Sequence, residues 1–127
     1  MVKILFALIL ALTITVTWFG VSNAQQSATG QVLRVSTVTL LPDKRDQASQ
    51  FMDESNKIFA ATQGVQWFKV GYNPATGEYV NVSLWNSQAE LEAWVKSDAR
   101  KAALEKFRPI LQGEPSAKIY HVSEAKK

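Results

Sequence analysis

The segment Asn73-Pro74-Ala75-Thr76-Gly77-Glu78 joins two strand-like runs, Val65 to Tyr72 and Tyr79 to Trp85. Proline suits an early turn position because its ring fixes φ, and glycine suits a left-handed one because it carries no Cβ. Two such runs across such a turn form a hairpin. The segments on either side limit what the hairpin can join. Before it, Val32 to Leu40 is rich in β-branched residues and ends at Pro42, a further strand. From Asp43, a plausible N-cap, residues Ala48, Phe51, Met52, Ser55, Ile58, Phe59 and Thr62 recur at three- and four-residue steps, an amphipathic helix stopped by Gly64. After the hairpin, Ser87 with Glu90 forms a capping box for a short helix, and Ser97-Asp98 opens a second one that turns Ala99, Ala103, Leu104, Phe107 and Leu111 inward. Pro109 bends or ends that helix, Gly113-Glu114-Pro115 breaks the chain, and Lys118 to Val122 is a last strand. Strand, helix, strand, strand, broken helix, strand is the split βαβ plan, an α+β fold with a four-stranded antiparallel sheet and helices on one face.

The start of the chain stands apart from this plan. Met1 to Ala24 has a lysine near its beginning, an apolar run from Ile4, and Ser22 and Ala24 in the small-residue positions before Gln25. That is the layout of a secretory signal peptide. An uncleaved anchor is the alternative, since Ile4 to Val21 approaches the roughly 18–20 apolar residues a spanning helix needs. Three threonines and the Ser22-Asn23-Ala24 ending favour cleavage. Either way the domain is expected outside the cytoplasm, periplasmic or secreted. The expected division is residues 1–24 signal peptide, 25–31 polar leader, 32–122 the domain and 123–127 a charged tail, with Gln25–Lys127 being 103 of the 127 residues.

Composition removes several classes of function. With no cysteine there is no disulfide framework, thiolate metal site or cysteine nucleophile. Fourteen Lys and Arg against 11 Asp and Glu leave a net charge of only +3, spread along the chain, so no nucleic-acid partner is expected. The lone histidine, His121, has no metal-ligand companions and reads as an edge or interface residue. No Gly-x-Ser-x-Gly elbow supports a nucleophilic serine, and no glycine cluster cradles a phosphate. Arg100, Lys101, Lys106 and Arg108 interleave with Asp98 and Glu105 and read as a solvated helix face.

Strand parity is more informative. In Tyr79 to Trp85 the even positions are Val80, Val82 and Leu84, while the odd ones mix Tyr79, Asn81, Ser83 and Trp85. Neither face is plainly solvent-facing, which suggests that one meets helices and the other a second subunit, a homodimer. Trp67, Trp85 and Trp94 each carry an indole N–H that needs a partner when buried. Asn81 lies two same-face steps from Trp85. An aromatic cavity with one or two hydrogen-bonding groups suits a flat aromatic ligand, although tryptophans also simply fill cores.

The run Val80-Asn81-Val82-Ser83-Leu84-Trp85-Asn86-Ser87, followed by Ala89-Glu90-Leu91-Glu92-Ala93-Trp94-Val95-Lys96-Ser97-Asp98, resembles the central signature of the antibiotic biosynthesis monooxygenase (ABM) family. The resemblance implies a ferredoxin-like fold whose two copies pair their sheets into a dimeric α+β barrel, with a pocket between helices and sheet. In one branch, cofactor-independent monooxygenases oxidise aromatic phenols or quinols with O2. The Asn and Trp of their motif correspond to Asn81 and Trp85, the implied catalytic pair, whereas Leu91 and Glu105 stand where that motif has Tyr and Arg. The second branch is haem-degrading. Its pocket Trp corresponds to Trp94, while its haem-ligating His falls at Leu104 and its strand-one Asn at or near Ser36. The resemblance therefore implies a pocket for a small aromatic molecule at Asn81 and Trp85, bordered by Trp94, Trp67, Ser36, Leu91 and Leu104. No metal and no cofactor is expected, haem being the alternative, and no membrane association once the signal peptide is gone. A non-catalytic ligand-binding domain is the remaining alternative.

Overall fold

The computed structural model describes residues 30–124, so the expected signal peptide, most of the polar leader and the end of the tail lie outside it. The order is β1 (Val32–Thr39), a 3-10 turn (Pro42–Gln47), α1 (Ala48–Ala61), β2 (Val65–Asn73), β3 (Glu78–Trp85), α2 (Gln88–Val95), α3 (Asp98–Phe107), a second 3-10 turn (Arg108–Ile110) and β4 (Ser116–His121). The strands form one antiparallel sheet ordered β2-β3-β1-β4. Three α-helices pack on one side of it, the ferredoxin-like plan expected. Among the described residues no helix is long and apolar enough to cross a membrane.

Local chemistry explains most boundaries. The first helical segment opens one residue before Asp43, as a 3-10 turn with Pro42 in its first turn, where a missing N–H leaves no bond unmade. Asp43 is therefore not its cap. α1 buries Ala48, Phe51, Ser55 and Phe59, one stripe at three- to four-residue spacing. Ser87 and Ser97 cap α2 and α3, their hydroxyls accepting from the backbone N–H of Glu90 and Arg100 at 3.2 Å each. At the hairpin tip Gly77 has φ +75°, and its N–H donates to the Asn73 carbonyl at 2.8 Å. The Arg45 guanidinium clamps that tip, donating to the carbonyls of Ala75 and Thr76. A Cβ at position 77 would meet Arg45 Nε at 2.7 Å, so both conformation and space require glycine.

Register assigns each strand residue to a face, because directly paired residues project to the same side. Away from the helices runs an apolar row across all four strands, Trp67–Leu84–Leu33–Tyr120, followed by Lys69–Val82–Val35–Lys118. Trp67 is 44% exposed and Tyr120 50% exposed at the two ends of the first row. On the helix side the rows are Phe68–Ser83–Arg34–Ile119 and Val70–Asn81–Ser36–Ala117. These polar-centred rows divide the core. One apolar cluster gathers Val32, Phe59, Trp85 and Leu91, and the other gathers Leu40, Ala48, Phe51 and Tyr79.

Candidate active site

Between the two clusters lies a cavity of about 90 Å3. Its floor is the polar centre of the sheet: Arg34 and Ser36 from β1, Tyr79 and Asn81 from β3. Its walls are mostly apolar. α1 contributes Phe51, Ser55, Ile58 and Phe59, α2 contributes Trp94, and α3 contributes Arg100, Ala103, Leu104 and Phe107. Phe51 meets the Tyr79 and Phe107 rings edge-on at centroid distances of 5.0 and 4.8 Å, closing one end. Trp94 closes the other, 5.2 Å from Phe59 and 5.3 Å from Trp85.

Asn81 is the centre of the site. It is wholly buried, yet neither its side-chain oxygen nor its nitrogen has a hydrogen-bond partner. Leaving a buried polar group unpaired costs about 1–3 kcal/mol, and such groups are uncommon in folded proteins. A donor and an acceptor held unpaired at the floor of an apolar cavity are preorganised for a ligand that offers the complementary pair. The Tyr79 hydroxyl is also buried. Burial raises its pKa, and Asn81 and Ser55 lie near enough to oppose that shift although no hydrogen bond to its oxygen forms. Tyr79 thus stays neutral at physiological pH, a donor rather than a base.

Two guanidinium groups line the same cavity. Arg34 is only 5% exposed and Arg100 is half-buried. Their charges stand 5.3 and 5.5 Å from the centroid of the Trp94 ring, within cation–π range. Burial, with the Arg100 charge as a second cause, lowers the Arg34 pKa to about 10, and burial lowers that of Arg100. Among the described residues no carboxylate lines the cavity.

Of the residues singled out in the sequence, Asn81, Ser36, Trp94 and Leu104 meet around this cavity. Trp85, Leu91 and Trp67 do not line it. Trp85 sits behind Trp94 in the core, its indole N–H donating to Ser83 Oγ at 3.0 Å. Leu91 is wholly buried beside Val32, Phe59 and Trp85, because it lies on the one face of α2 that meets the sheet. Trp67 lies on the opposite side of the sheet. The register shift between Val65 and Trp67 reverses parity there, so Val65 and Phe68 pack against the core and Trp67 projects outward. His121 is exposed on the edge strand β4.

Arg34 and Tyr79 join the site without having been singled out as site residues, and Arg100 leaves the solvated face expected for it. Both arginines carried a signal. Arg34 alternates with Val32, Ser36 and Val38 on the inner face of β1, and Arg100 shares a helical stripe with Ala103, Leu104 and Phe107.

The family model for antibiotic biosynthesis monooxygenase matches residues 32–106, which span β1 through all but the last residue of α3 and carry nearly the whole cavity. The chain belongs to this family. Solved structures agree on the ABM fold. Rv0793 from Mycobacterium tuberculosis superposes with a TM-score of 0.63 at 14% identity, covering 76% of this chain and 99% of that one. SnoaB from Streptomyces nogalater, a cofactor-independent oxygenase, superposes with a TM-score of 0.62 at 11% identity, covering 76% and 96%. NE2512 from Nitrosomonas europaea, a protein of unknown function, superposes with a TM-score of 0.64 at 12% identity, covering 78% and 95%. At such identities the likeness is one of fold. No curated protein matches the chain.

Proposed function

We propose that this ABM protein is a cofactor-independent monooxygenase that oxidises a small phenol or quinol with O2, in the cavity floored by Asn81. The observation that carries the reading is the unpartnered Asn81 amide, wholly buried in an aromatic cavity. Membership of a family that includes monooxygenases, and the fold shared with SnoaB, support it. In the reaction one oxygen atom of O2 enters the ring and the other leaves as water. The substrate supplies all four electrons and becomes a quinone. Asn81 Nδ2 donates to the substrate oxygen on which negative charge develops, and Oδ1 accepts from a neighbouring hydroxyl. Neutral Tyr79 is a second donor near the same floor. Phe51, Phe107 and Trp94 exclude water from the electron-rich ring.

Haem held through an axial histidine does not fit these residues. Among the described residues no His, Cys or Met lines the cavity, and the position that the haem-degrading resemblance gives to a ligating histidine is Leu104.

The test is oxygen uptake by the purified protein with a naphthoquinol. Uptake above the uncatalysed rate, falling about a hundredfold in Asn81→Ala, is the expected result, by analogy with loss of one oxyanion donor. Binding of the quinol without uptake would overturn the oxygenase reading and leave a ligand-binding domain.

The same reading has residues 1–24 directing export and a second copy covering the outer sheet face. The row Trp67–Leu84–Leu33–Tyr120, half-exposed at its ends and met by no helix, supports the homodimer. Sedimentation at micromolar concentration is expected to give a dimer, and Val82→Asp, at the middle of that face, a monomer. A wild-type monomer would contradict it.

A further inference from the structure

The cavity has walls of aromatic and aliphatic side chains, yet the charged groups it contains are both positive. Arg34 and Arg100 line it, no Asp or Glu does, and neither guanidinium makes a salt bridge or a side-chain hydrogen bond among the described residues. A buried cation is normally retained with a carboxylate beside it, because desolvation otherwise penalises it. Elsewhere in this fold arginine side chains do have polar partners: Arg45 donates to two backbone carbonyls, and the exposed Arg108 pairs with Glu105 and Glu114. At the cavity both charges face the ring of Trp94. An aromatic face offers a cation part of what a carboxylate would, and leaves the guanidinium N–H groups free to meet an anion.

We infer that the ligand of this cavity is an aromatic anion, its ring held among the apolar walls and its negatively charged oxygen group, carboxylate or phenolate, held by Arg34 and Arg100. The inference rests on the aromatic-pocket reading above and names the charge state of what enters. It also supplies what the pocket otherwise lacks. Among the described residues no His, Asp, Glu or Lys lines the cavity to take a proton from a phenol, and Tyr79 is held neutral. Two fixed cations remove the need for such a base, because they select the form that is already ionised and lower the energy of the anion once it is bound. Arg34 stays cationic well above neutrality even with its pKa lowered to about 10. A bound anion would return that pKa toward its ordinary value, so ligand and Arg34 stabilise each other's charge.

Binding measured by quenching of tryptophan fluorescence in the full chain tests this without requiring turnover. The probes are naphthoate and its uncharged amide, naphthamide. Nitrophenol, followed on either side of its own ionisation near neutrality, provides the phenolate arm. Naphthoate is expected to bind about tenfold more tightly than naphthamide, the scale of a charge-assisted hydrogen bond. Nitrophenol is expected to tighten as it ionises. A preference in one arm alone identifies the anion as carboxylate or phenolate and supports the inference. Arg34→Met should erase the preference for naphthoate over naphthamide, and Arg34→Lys should restore part of it. Arg100→Met, a change on a half-buried helix position, should weaken the preference independently and keeps the test decisive if Arg34→Met does not fold. Equal binding of charged and uncharged probes would overturn this inference alone, whereas no binding of any probe would overturn it together with the aromatic-pocket reading.

Discussion

Trp85→Ala is expected to cost about 3–5 kcal/mol, the range for truncating a buried tryptophan. Trp85 is fully buried at the centre of one apolar cluster, with Val32, Phe59 and Leu91, and it supports the ring of Trp94 at 5.3 Å. Truncation would open a cavity behind Trp94 and leave Ser83, itself wholly buried, without the indole donor it accepts from. Against a total stability of about 5–15 kcal/mol for a domain of this size, that loss brings the fold close to its limit. Urea unfolding followed by circular dichroism measures it. A loss below about 1 kcal/mol would show that the core tolerates the cavity and that Trp85 is not its keystone.

Asn81→Leu should do the reverse. Its side chain contributes two buried atoms with no partner, and leucine fills nearly the same volume without them. Stability is expected to rise by about 1–3 kcal/mol, the penalty recovered when an unsatisfied buried group is replaced by an apolar one. Oxygen uptake with the naphthoquinol is expected to vanish in the same variant. A gain in stability paired with a loss of function is the mark of a residue kept for its ligand. If Asn81→Leu were instead destabilised, the amide would be holding the fold together, and its assignment to a ligand would fail.

These opposite expectations for two residues on one strand show how far the sequence could be read. Alternation along Tyr79 to Trp85 placed Asn81 and Trp85 on one face, and the structure puts both against the helices, fully buried. Alternation could not show that the cavity stops at Trp94, one ring short of Trp85, because that depends on where α2 sits. The order of elements and the hairpin turn were legible because proline, glycine and the serine caps act over a few residues. Trp67 was not, since a single irregularity between Val65 and Trp67 reverses every side chain after it. Leu91 followed the family signature into the site, but its helix turns it toward Val32 and Trp85. Arg100 was hidden by its neighbours Asp98, Lys101 and Glu105, which make the helix look solvated all round. Only the stripe it shares with Leu104 and Phe107 marks it as inward. Arg34, a charge between Val32 and Ser36 on an inner strand face, was readable in principle. Its meaning emerged only when the fold showed no carboxylate beside it.

The most direct measurement of the central claim is an amide-detected NMR titration of the protein with a naphthoquinol under nitrogen, following the Asn81 side-chain amide and the indole N–H signals. Binding in the cavity predicts that the Asn81 amide and the Trp94 indole shift together and saturate at one ligand per chain, while the Trp67 indole, on the opposite sheet face, does not move. A titration that shifts Trp67 and leaves Asn81 and Trp94 unchanged would put the ligand on the outer face and contradict the account.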